Sequence, residues 1–177
     1  MSIETRRLRL ILWAPAHLLA LIDGEEAFRR SFGLPAAPGL RGHIVSEEVS
    51  PAWIDALRTL PPADPWVHGF AVVERESCLV VGSVGFKGAP ADDGSVEIGY
   101  GIVSAFQRRG YATEATEASV AFAFADERVR VVRAHTLPQP NASTRVLEKC
   151  GFARIGEVVD PEDGRVWRWE RARGAID

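Results

Sequence analysis

The sequence predicts a mixed α/β (α+β) fold: a largely antiparallel sheet of about seven strands, one parallel pair, and helices on both faces. Three observations carry that prediction. Short runs with period-two alternation recur along the chain, bounded by Gly, Pro and Asp. Longer runs with helical spacing stand between some of them. One of these, residues 111–126, joins two strands too far apart for a hairpin. Such a connection places its two strands parallel.

The elements follow in order. Residues 5–13 alternate, with Leu8, Leu10 and Leu12 on one parity, and predict a first strand. Pro15 opens a helical run that stops near Gly24, and residues 25–32 form a second helix. Gly33, Pro35, Pro38, Gly39 and Gly42 mark residues 33–43 as a loop. Ser50-Pro51 begins a short helix that ends at Leu60, before Pro61-Pro62. Strands are expected at 66–74, 78–87 and 95–103, with Asp93-Gly94 turning the chain between the last two. A helix at 111–126 follows, then a β-branched run at 129–136. Asn141 caps a helix over 142–149 and Gly151 stops it. Strands at 152–159 and 165–171 flank a turn from Asp160 to Gly164, and the tail after Arg171 reads as loose.

Composition bounds the function. A chain of 177 residues with 46% apolar and 25% charged residues reads as a single domain, 1–177, with a substantial core. Its net charge of −3 argues against nucleic acid as a partner. The bases are 19 Arg and two Lys, Lys87 and Lys149. No apolar run reaches membrane-spanning length, and MSIETRRLRL lacks the apolar core of a signal peptide, so a cytoplasmic protein with no membrane partner is expected. Cys78 and Cys150 form no CxxC pair, and His17, His43, His68 and His135 are scattered, so no metal is expected.

The informative stretch is SVEIGYGIVSAFQRRGYA, residues 95–112. Val96, Ile98, Tyr100 and Ile102 fall on one face of the strand. Ser95, Glu97, Gly99 and Gly101 fall on the other, so Glu97 stands alone on a nearly bare face. Gln107-Arg108-Arg109-Gly110-Tyr111-Ala112 then runs into a helix start, where unpaired N–H groups and the dipole attract phosphate. Ala112, Ala115, Ala118 and Ala121 leave that helix room to approach the sheet. An ordinary βα turn containing arginines fits the loop alone equally well.

Gln107, Gly110 and Ala112 match the Q/R-x-x-G-x-G/A signature of the GNAT superfamily of N-acetyltransferases. EIGYGI…FQRRGYATEA, NASTRVLEKCGF and the opening ETRRLRL resemble its RimJ/RimL-like, ribosomal-protein N-acetyltransferase-related branch. The resemblance implies a splayed parallel pair, 95–103 and 129–136, with acetyl-CoA in the gap. Its pantetheine arm would pair with backbone near Ile102 and Val103, and backbone N–H groups near Val103 would polarise the thioester. Its diphosphate would sit on the N–H groups from Arg108 to Thr113, through Arg109, Gly110, Tyr111 and Ala112. Asn141 would flank the pantetheine and thiol. Arg108, Arg109 and Arg145 would reach the 3′-phosphate or stay solvated.

Glu97 is the candidate base that takes the proton from an attacking amine, directly or through water; a strand glutamate facing solvent or pairing with an arginine is the plain alternative. Many members of the family place a Tyr proton donor where this chain has Leu147, which cannot donate. Ser143 is the candidate thiolate stabiliser, or else a helix cap beside Asn141. Asn141 also departs from the branch, lying two residues before the serine rather than three. Cys150 reads as a small buried hydrophobe. His135 reads as structural. Trp53, Trp66 and Phe86 belong to an acceptor pocket or to the core, and Trp167 and Trp169 pack on one strand face.

The implied activity is acetyl transfer from acetyl-CoA to a primary amine in a ternary complex. A non-catalytic acyl-CoA-binding or regulatory module on the same fold is the alternative. A nucleotide-binding protein ranks lower, since GxxxxGK[S/T] and GxGxxG are absent. The acceptor is open, and strand edges and exposed aromatics allow a homodimer.

Overall fold

The strand expected at 5–13 is the shorter β2 (Leu8–Leu12), and Ser2–Glu4 before it form β1, which pairs with it as a hairpin. The break comes at Thr5, whose hydroxyl accepts the Leu8 N–H at 3.0 Å and bends the chain. The computed structural model describes residues 1–45, 51–59, 62–161 and 163–174. Helix α1 (Pro15–Asp23) starts at the expected proline. Ala14 cannot cap it with a side chain, and His17 compensates, its Nδ1 accepting the Ala14 N–H at 3.1 Å. Helix α2 (Glu25–Phe32) carries acids in its first turn and arginines in its last, in line with the helix dipole.

Three expectations are corrected here. The loop 33–43 runs into a helix, α3 (Leu40–Ile44), because Leu40 is a fully buried anchor that outweighs the Gly/Pro-rich composition. The strand expected from residue 66 begins at Phe70. Asp64 accepts the Trp66 N–H at 2.7 Å and Pro65 presets the first helical φ, so residues 65–68 form one helical turn. The tail after Arg171 is held as far as it is described: the Arg173 guanidinium donates to the carbonyls of Phe124, Asp126 and Val129, and residues 175–177 lie outside the described residues. Between these, α4 (Pro51–Thr59) matches expectation; Ser50 and Leu60, its expected bounds, lie outside the described residues. That one turn is α5 (Pro65–His68), followed by β3 (Phe70–Glu74).

The rest runs β4 (Leu79–Phe86), β5 (Ser95–Ile102), a 3₁₀ turn at Ser104–Phe106, α6 (Tyr111–Ala125), β6 (Val131–Thr136), α7 (Ala142–Lys149), β7 (Ala153–Asp160) and β8 (Gly164–Ala172). The sheet has eight strands in the order β1-β2-β3-β4-β5-β6-β8-β7. Among the described strands only β5 and β6 pair in parallel. Their pairing covers Ser95–Glu97 against Val131–Arg133 and then stops. From there β5 stays with β4 and β6 stays with β8, so the two strands part.

Helices cover both faces. Trp13 and α3 lie on one: the Trp13 indole donates to Ser83 and His43 packs on Gly101. Helices α5, α6 and α7 lie on the other, where the rings of Trp66, Phe70 and Phe86 each lie within 6.2 Å of Phe122. Trp66 and Phe86 are therefore core residues, not pocket walls; the side chain of Trp53 lies outside those described. Trp169 is buried, with its indole on Thr136 at 3.0 Å, and Trp167 lies under Arg154. Helix α6 buries Tyr111, Ala115, Ser119 and Ala123 together with Thr116 and Val120, while Ala121 is exposed. An i+4 row follows 3.6 residues per turn more closely than the i+3 alanine stripe does over three turns.

Candidate active site

A cavity of about 480 Å³ lies where the end of β5, the start of α6 and the first turns of α7 meet. Ile102, Gln107, Arg108, Gly110, Tyr111, Ala112, Thr113, Ser143 and Arg145 line it, as do Tyr100, His43 and Lys149. The loop between β5 and α6 is shaped by two left-handed residues, Arg108 at φ 60° and Gly110 at φ 81°. For an arginine that conformation costs roughly 1–2 kcal/mol. Gly110 adopts it freely and begins α6 with no side-chain cap. The N–H groups of Tyr111, Ala112 and Thr113 belong to the unpaired first turn of a 15-residue helix, in the cavity wall. Arg108, Arg145 and Lys149 add positive charge around them.

Four predicted site residues stand elsewhere. The Val103 N–H, expected to face the thioester, donates to Val81 O at 2.9 Å. The reason is antiparallel alternation. The Lys87 N–H to Glu97 O bond at 2.9 Å and the Val103 bond fix odd residues of β5 toward β4. The even residues Tyr100 and Ile102 thus turn their backbone toward the gap. The Ile102 carbonyl is taken by the Gln107 side-chain amide at 2.8 Å, which leaves its N–H. Arg109 folds back onto its own loop, donating to Ala105 O at 3.1 Å with its guanidinium over the Phe106 ring, and is not part of the cavity wall. Asn141 is the cap of α7: Oδ1 accepts the Thr144 N–H at 3.0 Å and Nδ2 donates to Gln139 O at 3.1 Å. Thr144 closes the capping box, so Ser143 is not the cap and stays in the cavity wall.

Glu97 is the fourth. It occupies the last paired position of the parallel stretch, at the apex of the opening between β5 and β6. Lys87 Nζ lies 2.8 Å from its Oε1 and His135 Nδ1 lies 3.0 Å away. On its other side, Nε2 of His135 accepts from Arg168 Nε at 3.3 Å. Burial raises the Glu97 carboxyl, but Lys87 and His135 outweigh it and hold the group below the usual carboxylate range. Glu97 is thus ionised at neutral pH. Beyond it Gly99 is exposed and faces open space.

Tyr100, His43 and Lys149 of the cavity wall went unassigned in the sequence. Tyr100 sends its hydroxyl to Ser143 O at 3.2 Å, and burial raises its pKa, so it remains a phenol and a donor. Period-two alternation placed it on the packed face, and nothing in the sequence shows that the packed face ends in a cavity. His43 lies against Gly101, where an added methyl group would collide with its ring. A histidine in a Gly/Pro-rich stretch gives no sign of that contact. Cys150, by contrast, is the buried hydrophobe expected. Burial pushes its thiol up to about 12, and Sγ lies 3.6 Å from Thr113 O. Leu147 is fully buried and supplies no proton.

Comparison with known proteins fits this geometry. Residues 7–153 match the acetyltransferase (GNAT) domain family. The uncharacterized N-acetyltransferase YjdG of Bacillus subtilis (strain 168) is 32% identical over 89 residues, 50% of this chain and 51% of that protein. The uncharacterized N-acetyltransferase p20 of Bacillus licheniformis is 25% identical over 107 residues, 60% of this chain and 56% of that one. The chain thus spans about half the length of the curated relatives it matches. Among solved structures, the ribosomal-protein-S5-alanine acetyltransferase of Vibrio fischeri superposes with a TM-score of 0.66 at 16% identity, over 100% of this chain and 99% of that one. RimL, a ribosomal L7/L12 α-N-protein acetyltransferase in complex with coenzyme A, does so at 0.66 and 15%, over 97% and 98%. These likenesses establish the fold. With the family match covering most of its length, the chain belongs to the GNAT acetyltransferases.

Proposed function

We propose that this acyltransferase moves an acetyl group from acetyl-CoA to a primary amine by direct transfer in a ternary complex. The observation that carries the reading is the parting of β5 from β6 after three paired positions, with an uncapped helix start at one end and an ionised carboxylate at the apex. The diphosphate rests on the N–H groups from Gly110 to Thr113. Arg108, Arg145 and Lys149 face the nucleotide phosphates. From there the pantetheine arm runs back along β5, bonding the open backbone of Ile102 and Tyr100 as an added strand does. Its thioester reaches the region of Gly101 and Gly99.

The amine enters on the face of the sheet that carries Gly99 and Glu97. Glu97 takes its proton through water. The nitrogen lone pair attacks the thioester carbon, the C–N bond forms, and the C–S bond breaks. The hydroxyl of Ser143 stabilises the departing thiolate. Holding both reactants in one geometry supplies much of the acceleration. Acceptor classes to screen are protein N-termini, in keeping with the names of the structural neighbours, and small-molecule amines.

Free CoA release across peptides with free N-termini, polyamines and aminoglycosides tests the activity. The expected result is amine-dependent release; release at the hydrolytic background with every amine would refute it. Glu97→Gln is expected to lower kcat about 100-fold with acetyl-CoA affinity within about twofold.

A further inference from the structure

The cofactor loop is held from outside by a residue about a hundred positions away in sequence. Arg7, at the turn between β1 and β2, donates from Nη1 to Arg109 O at 2.7 Å. Its guanidinium lies 4.9 Å from the centroid of the Tyr111 ring, and Nη2 sits 3.1 Å from where a Cβ on Gly110 would be. Arg7 touches Arg109 and Tyr111 and stands over Gly110, yet it is not part of the cavity wall.

Arg7 is itself fixed. Its Nε lies 2.8 Å from Glu114 Oε2, and its backbone N–H donates to Glu114 Oε1 at 2.7 Å. The Thr5 hydroxyl donates to the same Oε1 at 2.7 Å. Glu114 lies in the first turn of α6, beside the proposed anion site, where a bare carboxylate would repel phosphate. Arg7 and Thr5 engage both of its oxygens. With the Arg109 carbonyl drawn to Arg7, the Gly110 N–H of the same planar peptide points the opposite way.

We propose that Arg7 is a positioning residue for the cofactor: with Glu114 and Thr5 it locks the loop from Arg108 to Gly110 in its left-handed form before acetyl-CoA arrives. The proposal rests on the reading that this loop holds the diphosphate. Arg7 touches no substrate. Its role is to remove the ordering cost that a mobile loop would add to binding. A lysine does not replace it, because one ammonium cannot present the fork that meets a carboxylate and a carbonyl together.

Calorimetry on the full chain tests this with CoA, dephospho-CoA and pantetheine, alongside kinetics with acetyl-CoA and acetyl-pantetheine as donors. Arg7→Met is expected to weaken CoA and dephospho-CoA equally, by about tenfold, the scale of one charge-assisted contact. Its kcat at saturating acetyl-CoA stays within about twofold of the parent, and its KM for acetyl-pantetheine is unchanged. Arg7→Lys loses nearly as much as Arg7→Met. Glu114→Gln, which keeps the side chain's shape, shows the same ligand pattern at about threefold and serves if Arg7→Met does not fold. Unchanged CoA affinity in both Arg7→Met and Glu114→Gln overturns the proposal. So does a loss confined to CoA over dephospho-CoA, which would make Arg7 a 3′-phosphate ligand. So does full rescue by lysine, which would make the effect one of charge alone. The cradle reading is checked separately in the parent protein: if it binds CoA no better than pantetheine, that reading falls, whatever Arg7 does.

Discussion

Helices α6 and α7 begin at the same cavity, and their first turns are treated in opposite ways. In α7, Asn141 and Thr144 cap each other's backbone, so two of the first N–H groups are satisfied inside the chain. In α6, a left-handed Gly110 occupies the cap position, with no side chain to turn inward. The carboxylate in its first turn is drawn off by Arg7 and Thr5. Two helix starts of the same intrinsic polarity thus serve different ends. One is closed inside the chain, and the other is left open, as the proposed diphosphate site requires. On that proposal, capping separates a helix that builds the site from a helix that binds at it.

The largest expected effect breaks the open end. Gly110→Asp places a β-carbon in a left-handed conformation and a carboxylate at the anion site, and calorimetry should show CoA affinity down by at least about 100-fold. A normal affinity would erase the distinction between the two helices. Asn141→Ala tests the closed end. It should cost about 1 kcal/mol, read as a Tm lower by roughly 2–4 °C, while CoA affinity holds. An affinity loss as large as that of Gly110→Asp would mean that both starts bind the cofactor.

Smaller effects sharpen the comparison at the far end of β5. Lys87→Met removes a cation that favours ionised Glu97, so the Glu97 pKa rises and the acid limb of kcat/KM moves to higher pH. A limb that stays in place would separate Glu97 from the rate. The smallest change is expected where α6 and α7 touch. Cys150→Ala should leave turnover within about twofold, and iodoacetamide at neutral pH should not inactivate the parent, because a thiol raised to about 12 is not a thiolate there.

Much of this was legible in the sequence where local chemistry decides. Pro15, Asn141, Gly151 and the alternation of residues 95–102 set their elements directly. The loop from Gln107 to Thr113 was legible because its glycine and its place before a helix are local features. What sequence reading missed depends on partners distant along the chain. Val103 turns inward because Val81 pairs with it, and no property of residue 103 reveals that phase. Arg109 turns outward because Ala105 O and the Phe106 ring draw it back. Arg7 is one of three arginines in the expected first strand, and its value is set by Glu114, in another element. Helix α3 depends on burying Leu40, which composition alone does not foretell.

The parallel contact has a mechanical consequence. Among the described residues, three register pairs join β5 of the block β1–β5 to β6 of the block β6–β8, so the sheet has a short seam there. On the proposed binding mode, a cofactor laid into that seam would replace missing rungs. Occupancy should therefore stiffen the molecule as a whole: amide hydrogens on both banks exchange more slowly together, and heat melts the two blocks as one unit.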